Sequence, residues 1–140
     1  MKNATVLRQL PRGTETILLV EDDDATRMMI GKLLKRLGYR VYEARDSLDA
    51  LETLAFIDDL HLLLTDVLLP NGANGMSIAE LVEAHFPETR ILLMSGSVDY
   101  ILETFTQRLG SRELLKKPMR NMALANHIRM KLDTVSGAAS

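Results

Sequence analysis

The sequence predicts an α/β domain whose central sheet is parallel and covered by helices on both faces. Three observations predict it. The runs Ile17-Leu18-Leu19-Val20, Leu62-Leu63-Leu64 and Ile91-Leu92-Leu93-Met94 are apolar without alternation, as strands buried on both faces are. Between them, apolar residues recur at the three- and four-residue spacing of helices. Each run also ends abruptly in polar residues: Glu21 and Asp22, Thr65 and Asp66, Ser95. In open α/β sheets, that carboxyl edge is where ligands bind.

A chain of 140 residues is long enough for one domain that buries ~68% of its unfolded surface. Apolar residues make up 46% of it, which excludes a disordered chain. The formal charge of −2 lacks the basic excess that nucleic-acid binding needs, so no nucleic-acid partner is expected. There is no cysteine, which excludes disulfides and thiolate metal sites. No apolar run approaches the ~20 residues of a membrane span, and the N-terminus shows no apolar signal core. A cytoplasmic domain without membrane contact is expected. Residues 1–15, with Pro11 and Gly13, read as a linker or N-terminal extension. Residues 16–134 form the domain, and the small polar residues 135–140 form a flexible tail.

The first strand covers 17–20. Asp23 or Asp24 then caps a helix whose Ile30, Leu33, Leu34 and Leu37 share a face, and Gly38 terminates it. Residues 39–44, of mixed polarity, make a second strand near a sheet edge. Asp46 or Ser47 opens a second helix that runs to Ile57, with Ala50, Leu51 and Leu54 inward. The third strand, 61–66, ends on Asp66. A loop over 70–75 holds two glycines, and Ser77 with Glu80 spells a capping box. The helix behind it puts Ile78, Leu81, Val82 and His85 on one face and stops at Phe86-Pro87. The fourth strand is 90–94. A weaker helix over 99–109 places Ile101, Phe105 and Leu109 in step. The fifth strand is 114–116, and Asn121 starts a last helix with Ala125, Ile128 and Leu132 inward. Five strands thus alternate with five helices. Right-handed crossovers then make a doubly wound three-layer sandwich, and the size suits the flavodoxin-like strand order 2-1-3-4-5.

In that order the ends of strands one, three, four and five converge on one crevice. They deliver Glu21 and Asp22, Asp66, Ser95 and Lys117 to it. Three close carboxylates repel one another unless a cation or a proton intervenes. Magnesium is a natural partner, because it takes one or two carboxylates, keeps waters and completes its shell with phosphate oxygens. A lysine and a hydroxyl are what the remaining phosphoryl oxygens need. A carboxylate can itself be the nucleophile, giving an aspartyl phosphate.

The segments Leu-Val-Glu-Asp-Asp (19–23), Leu-Thr-Asp-Val-Leu-Leu-Pro (64–70), Gly75, Met-Ser-Gly (94–96) and Lys-Lys-Pro (116–118), in this order and spacing, resemble the receiver domain of two-component response regulators. The resemblance covers about residues 16–134. It implies that Asp66 is the phosphoacceptor and that Glu21 and Asp22 are the acidic pair. Asp22 would ligate Mg2+ directly, Glu21 through water, and the backbone carbonyl of Leu68 would be a further ligand. Ser95 would contact the phosphoryl group, and Lys117 rather than Lys116 would pair with it, since the family lysine directly precedes the proline. The implied partner is a histidine kinase or phosphotransfer protein carrying a phosphohistidine. The implied output is a shift between two conformations centred on the fourth strand and fourth helix. Self-dephosphorylation is the most enzymatic activity implied, and homodimerisation stays open.

Two departures accompany the resemblance. Leu114 stands where the family usually has an aromatic switch residue. The loop Asn-Gly-Ala-Asn-Gly (71–75) is one residue longer than in many receivers. In that it is similar to receivers at the C-terminus of hybrid sensor histidine kinases, as is Leu-Pro-Arg-Gly-Thr-Glu-Thr (10–16) before the domain. A receiver cut from a hybrid kinase and a free-standing receiver derived from one are both open.

Read singly, Asp66 is a strand-end acid, Ser95 a turn hydroxyl and Lys117 a surface lysine; together at one edge they point to function. Asp23 and Asp24 read as solvated caps. His61, His85 and His127 have no ligand spacing. The eight methionines read mostly as core fillers, while Met119, Met122 and the Tyr100–Phe105 face are candidates for a partner surface. Two other functions compete. A phosphohydrolase of the dehalogenase type needs a second acid two residues after its nucleophile, where Leu68 stands. A degenerate receiver used only for docking would not need the full set of polar groups. No helix-turn-helix follows the last helix, so a transcription-factor role within this chain is not expected.

Overall fold

The structure, a computed structural model, describes residues 9–134. Residues 1–8 of the segment read as linker, and the tail read over 135–140, lie outside the described residues. Strands β1 (Thr16–Val20), β2 (Arg40–Ala44), β3 (Leu62–Asp66), β4 (Arg90–Ser95) and β5 (Glu113–Lys116) form one parallel sheet in the order 2-1-3-4-5. Six α-helices accompany them: α1 (Asp24–Arg36), α2 (Ser47–Leu54), α3 (Gly75–His85), α4 (Val98–Thr104), α5 (Thr106–Leu109) and α6 (Asn121–Leu132). A 3-10 turn covers Pro70–Gly72. The doubly wound fold predicted from the buried apolar runs is the fold observed.

Alternation along each strand divides the core in two. Ile17, Leu19, Leu62, Leu64, Leu92, Met94 and Leu115 face one way and pack with Leu33 and Leu34 of α1 and Leu124, Ala125 and Ile128 of α6. Leu18, Val20, Leu63 and Leu93 face the other way, against Ala50 of α2, Met76, Ala79 and Val82 of α3, Ile101 of α4 and Leu109 of α5. Both faces are covered, which is why the central strands carry no polar alternation.

The structure corrects several expected details. The second helix stops at Leu54 rather than Ile57, because Ala55, Phe56 and Ile57 donate back to residues 52, 53 and 54. These three-residue bonds tighten the end into a 3-10 turn, and Leu51 lies exposed. The third helix is capped not by Ser77 but by Asn74, whose side chain accepts from the Met76 N–H at 2.8 Å. Ser77 and Glu80 instead bind Arg108 of α5, at 2.6 and 2.9 Å. Met76, Ile78, Ala79 and Val82 face inward, and Leu81 and His85 lie exposed. The weak fourth helix is two pieces broken at Phe105. Thr104 and Thr106 flank the break, and the Thr106 hydroxyl donates to the Leu102 carbonyl; such side-chain bonds compete with the helix ladder. Six α-helices therefore replace the expected five among the described residues.

The segment read as linker also differs in its second half. Leu10 is only 3% exposed and packs into the α1/α6 core. Gly13 donates to the Leu37 carbonyl, and Arg129 of α6 donates to the Arg12 carbonyl.

Candidate functional site

Parity along the strands decides which side chains meet. Glu21 continues the parity of Ile17 and Leu19, Asp66 that of Leu62 and Leu64, and Lys117 that of Leu115. All three emerge on the α1/α6 side of the sheet's carboxyl edge. The ladder extends one residue past two strands, since Glu21 N–H donates to Ala44 and Lys117 N–H donates to Ser95. Lys117 Nζ donates to Glu21 Oε1 at 2.6 Å and to Asp66 Oδ1 at 2.7 Å. The peptide bond after it, to Pro118, is cis.

Ser95 follows the opposite parity, that of Leu93. Its buried hydroxyl accepts from the Ser97 N–H at 2.9 Å, and it makes no hydrogen bond to the acids among the described residues. The expected convergence therefore joins Glu21, Asp66 and Lys117 directly, with Ser95 on the neighbouring strand end.

Glu21 is 0% and Asp66 3% exposed. The second Glu21 oxygen, Oε2, accepts from the Asp23 N–H at 3.1 Å. Asp66 Oδ2 is buried and has no hydrogen-bond partner, a costly condition for a carboxylate. Burial and the Glu21 carboxylate outweigh Lys117 and push the Asp66 carboxyl up to about 8. Burial also opposes the charge on Glu21, but hydrogen bonds with Asp66, Lys117 and the Asp23 backbone outweigh it and hold Glu21 below its usual range. Burial disfavours the Lys117 ammonium as well, yet its bonds to Asp66 and Glu21 leave it more basic than an ordinary lysine.

One carboxylate oxygen from each of Glu21, Asp22 and Asp66 lies within 4.8 Å of the others. Asp22 is exposed while the other two are buried, so the cluster opens to solvent on one side. The orphaned Asp66 oxygen and an all-oxygen donor set fit a hard divalent cation, whose oxygen shell is about 4 Å across for Mg2+. Leu68 and Asn74 form an isolated antiparallel bridge. Its two bonds run from Gly75 N–H to Val67 and from Leu69 N–H to Ala73, which leaves the Leu68 carbonyl outside the bridge and free to be a further oxygen donor.

Three supporting residues escaped the sequence reading or were only part of a motif. Gly75 lies so close to Asp66 that a Cβ there would overlap the Asp66 carbonyl oxygen, so only glycine lets α3 begin against β3. Thr65 donates its hydroxyl to that same carbonyl at 2.9 Å. Arg27 of α1 donates to the Glu21 carbonyl at 2.8 Å; its only signal in the sequence is a cation one helical turn after four consecutive acids. Leu114 is partly buried against the α2–α5 core, as is Phe105. Of the candidate partner surface, Tyr100 and Met122 are exposed, and the Tyr100 ring meets the Phe105 ring edge-on at 6.1 Å.

The model of the response regulator receiver domain family matches residues 17–129. The chain is 34% identical over 121 residues to the two-component response regulator-like protein APRR5 of Arabidopsis thaliana, covering 85% of this chain and 22% of that protein. It is 32% identical over 117 residues to a cyclic di-GMP phosphodiesterase of Thermotoga maritima, covering 84% and 30% respectively. With the sensor kinase CckA of Brucella abortus it shares 30% over 125 residues, covering 86% and 13%. The chain thus spans less than a third of the length of these relatives. Among solved structures, a CheY-like receiver domain protein of Methanospirillum hungatei superposes with a TM-score of 0.75 at 25% identity, covering 86% of this chain and 95% of that one. The receiver domain of the hybrid histidine kinase CckA superposes with a TM-score of 0.68 at 28% identity, covering 84% and 99%. Sheet order, the acidic edge and the family match over most of the described residues agree: the chain belongs to the response regulator receiver domain family of two-component systems.

Proposed function

We propose that this domain, residues 16–134, takes a phosphoryl group onto Asp66 from a phosphohistidine on a histidine kinase or phosphotransfer protein. One observation carries the reading: Asp66 presents one oxygen to Lys117, keeps a second without a partner, and stands in a cluster with two further carboxylates. An Asp66 carboxylate oxygen attacks phosphorus, the P–N bond breaks, and its electron pair stays on the imidazole of the donor. Lys117 supplies charge to the phosphoryl oxygens, and Ser95 supplies a hydroxyl from the next strand end. Asp22 and Asp66, the Leu68 carbonyl and Glu21 through water would hold Mg2+, which supplies charge neutralisation when bound.

The chain itself is then a phosphoacceptor and not an enzyme with turnover; Leu68 in place of a second acid speaks against a phosphohydrolase. A cytoplasmic location accords with this role. An apolar groove of about 300 Å3 beside Lys117, lined by Met29, Ile30, Met94 and Met119 among others, suits a docking partner. The similarity to the CckA receiver and kinase supports attachment to, or descent from, a hybrid histidine kinase. Incubation with Mg2+ and a small acyl phosphate should add one phosphoryl mass to the intact protein, read by mass spectrometry. Equal labelling of Asp66→Asn would refute the assignment.

A further inference from the structure

We propose that Arg27 is a positioning residue for the metal-binding turn between β1 and α1, acting through the backbone of Glu21. The proposal rests on the Mg2+ reading above and goes beyond it. The turn is Glu21-Asp22-Asp23-Asp24, four acids in a row. Their mutual repulsion favours any conformation that spreads them apart, whereas a cation site needs Asp22 held beside Asp66.

Arg27 lies on α1 and reaches back over the turn. Its Nη1 donates to the Glu21 carbonyl oxygen at 2.8 Å, and its Nη2 donates to Asp24 Oδ1 at 2.6 Å. Its Nε stands 3.9 Å from Glu43 Oε1 on β2, and its side chain is only 18% exposed. Three points of the fold therefore converge on one guanidinium: the end of β1, the first residue of α1 and the edge strand. The Glu21 carbonyl belongs to the Glu21–Asp22 peptide, whose plane fixes where the Asp22 Cα and side chain start. The planar fork of arginine can hold a carbonyl and a carboxylate at once, whereas the ammonium of lysine is a single point. On the far side of the turn, Asp23 caps α1 through the Thr26 N–H at 2.8 Å and offers its own N–H to Glu21. Arg27 and Asp23 thus brace the two ends of the turn, and Asp22 between them is left free for a ligand.

The charge of Arg27 and its geometry predict opposite outcomes, which makes the test sharp. By charge alone, removing a cation near three carboxylates tightens Mg2+ binding. By positioning, removing it weakens binding by about tenfold or more, as loss of outer partners of metal ligands does. Mg2+ titrations by calorimetry on folded wild-type, Arg27→Met and Arg27→Lys proteins separate the two. Methionine keeps the packed stem and deletes the donors; lysine keeps the charge and loses the fork. The expected result is weaker binding in both, with lysine between methionine and wild type. Unchanged or tighter binding by Arg27→Met overturns the proposal. Should that variant not fold, Arg27→Lys decides: wild-type affinity overturns the proposal and weaker affinity supports it. A folded wild-type protein that binds no Mg2+ at millimolar concentration would overturn the metal reading itself, and the role of Arg27 with it.

Discussion

Asp66 carries its proton up to about pH 8 when only Glu21 and Lys117 surround it. The unfolded value is about 3.9, so between those limits the folded protein binds the extra proton. The sign follows: this contribution to stability is fully present below about pH 4 and is lost as pH rises through 8. Thermal melts in chelator from pH 5 to 9 should show Tm falling with pH in the wild type. Asp66→Asn cannot titrate, so its Tm should hold flatter and end several degrees higher at pH 9, on the order of 1–2 kcal/mol; an unchanged slope would assign the pH dependence elsewhere. The candidate site was largely legible at this scale. Glu21, Asp66 and Lys117 stand directly at strand ends, and strand-end acids and lysines are visible in a sequence. Ser95 was legible as a strand-end hydroxyl on β4, while its bond from the Ser97 N–H depends on the turn that follows and was not. Arg27 was not legible, because its reach depends on the helical rotation that Asp23 sets as cap.

Helix boundaries carry their own energetics, and α3 gives the clearest test. Its start was read from a capping-box spelling, yet the Asn74 side chain makes the cap. Asn74→Ala should cost about 1 kcal/mol, while Ser77→Ala, which loses only an exposed contact with Arg108, should cost under about 0.5 kcal/mol. Urea unfolding of both variants measures the difference, and the reverse ranking would restore Ser77 as cap. The true cap matters for the site, because it lets Gly75 lie against the Asp66 carbonyl. The interruption at Phe105 was not legible for a different reason. Ile101, Phe105 and Leu109 keep helical spacing and all pack on the same core, so the apolar period survives a backbone break made by the flanking threonines. Arg108, on the piece after the break, ties that piece to α3 through Ser77 and Glu80. The α3 that it holds begins at Gly75, against the Asp66 carbonyl.

The doubly covered parallel sheet was legible because the central strands carry unbroken apolar runs, 17–20, 62–64 and 91–94, which a sheet covered on both faces requires; the strand order followed from the βα alternation and the size of the chain. In residues 9–15, Pro11, Gly13 and mixed polarity describe a linker or extension locally, whereas Leu10 belongs to a buried cluster whose other members, Leu37, Tyr39 and Ile128 among them, lie far along the chain. The ion pair of Arg129 with Glu15, at 2.5 Å, closes the same end of the molecule and joins α6 to the start of β1. At the other end, Lys117 meets Asp66 across 51 positions and Glu21 across 96. That junction needs the carboxyl ends of β1, β3 and β5 brought together, so a cation bound there should be linked to global unfolding and not to the opening of one loop. At a hundredfold excess over its Kd, Mg2+ should add about 2.7 kcal/mol of stability. In hydrogen exchange, that gain should appear equally in the slowest amides of β1, β3 and α6, including those far from the acids. Slowing confined to the β1–α1 turn would mean that the edge closes locally over the ion. Uniform slowing would mean that occupancy of this one crevice is reported by the stability of the entire domain, as a ligand's affinity is written into the melting curve of a two-state protein.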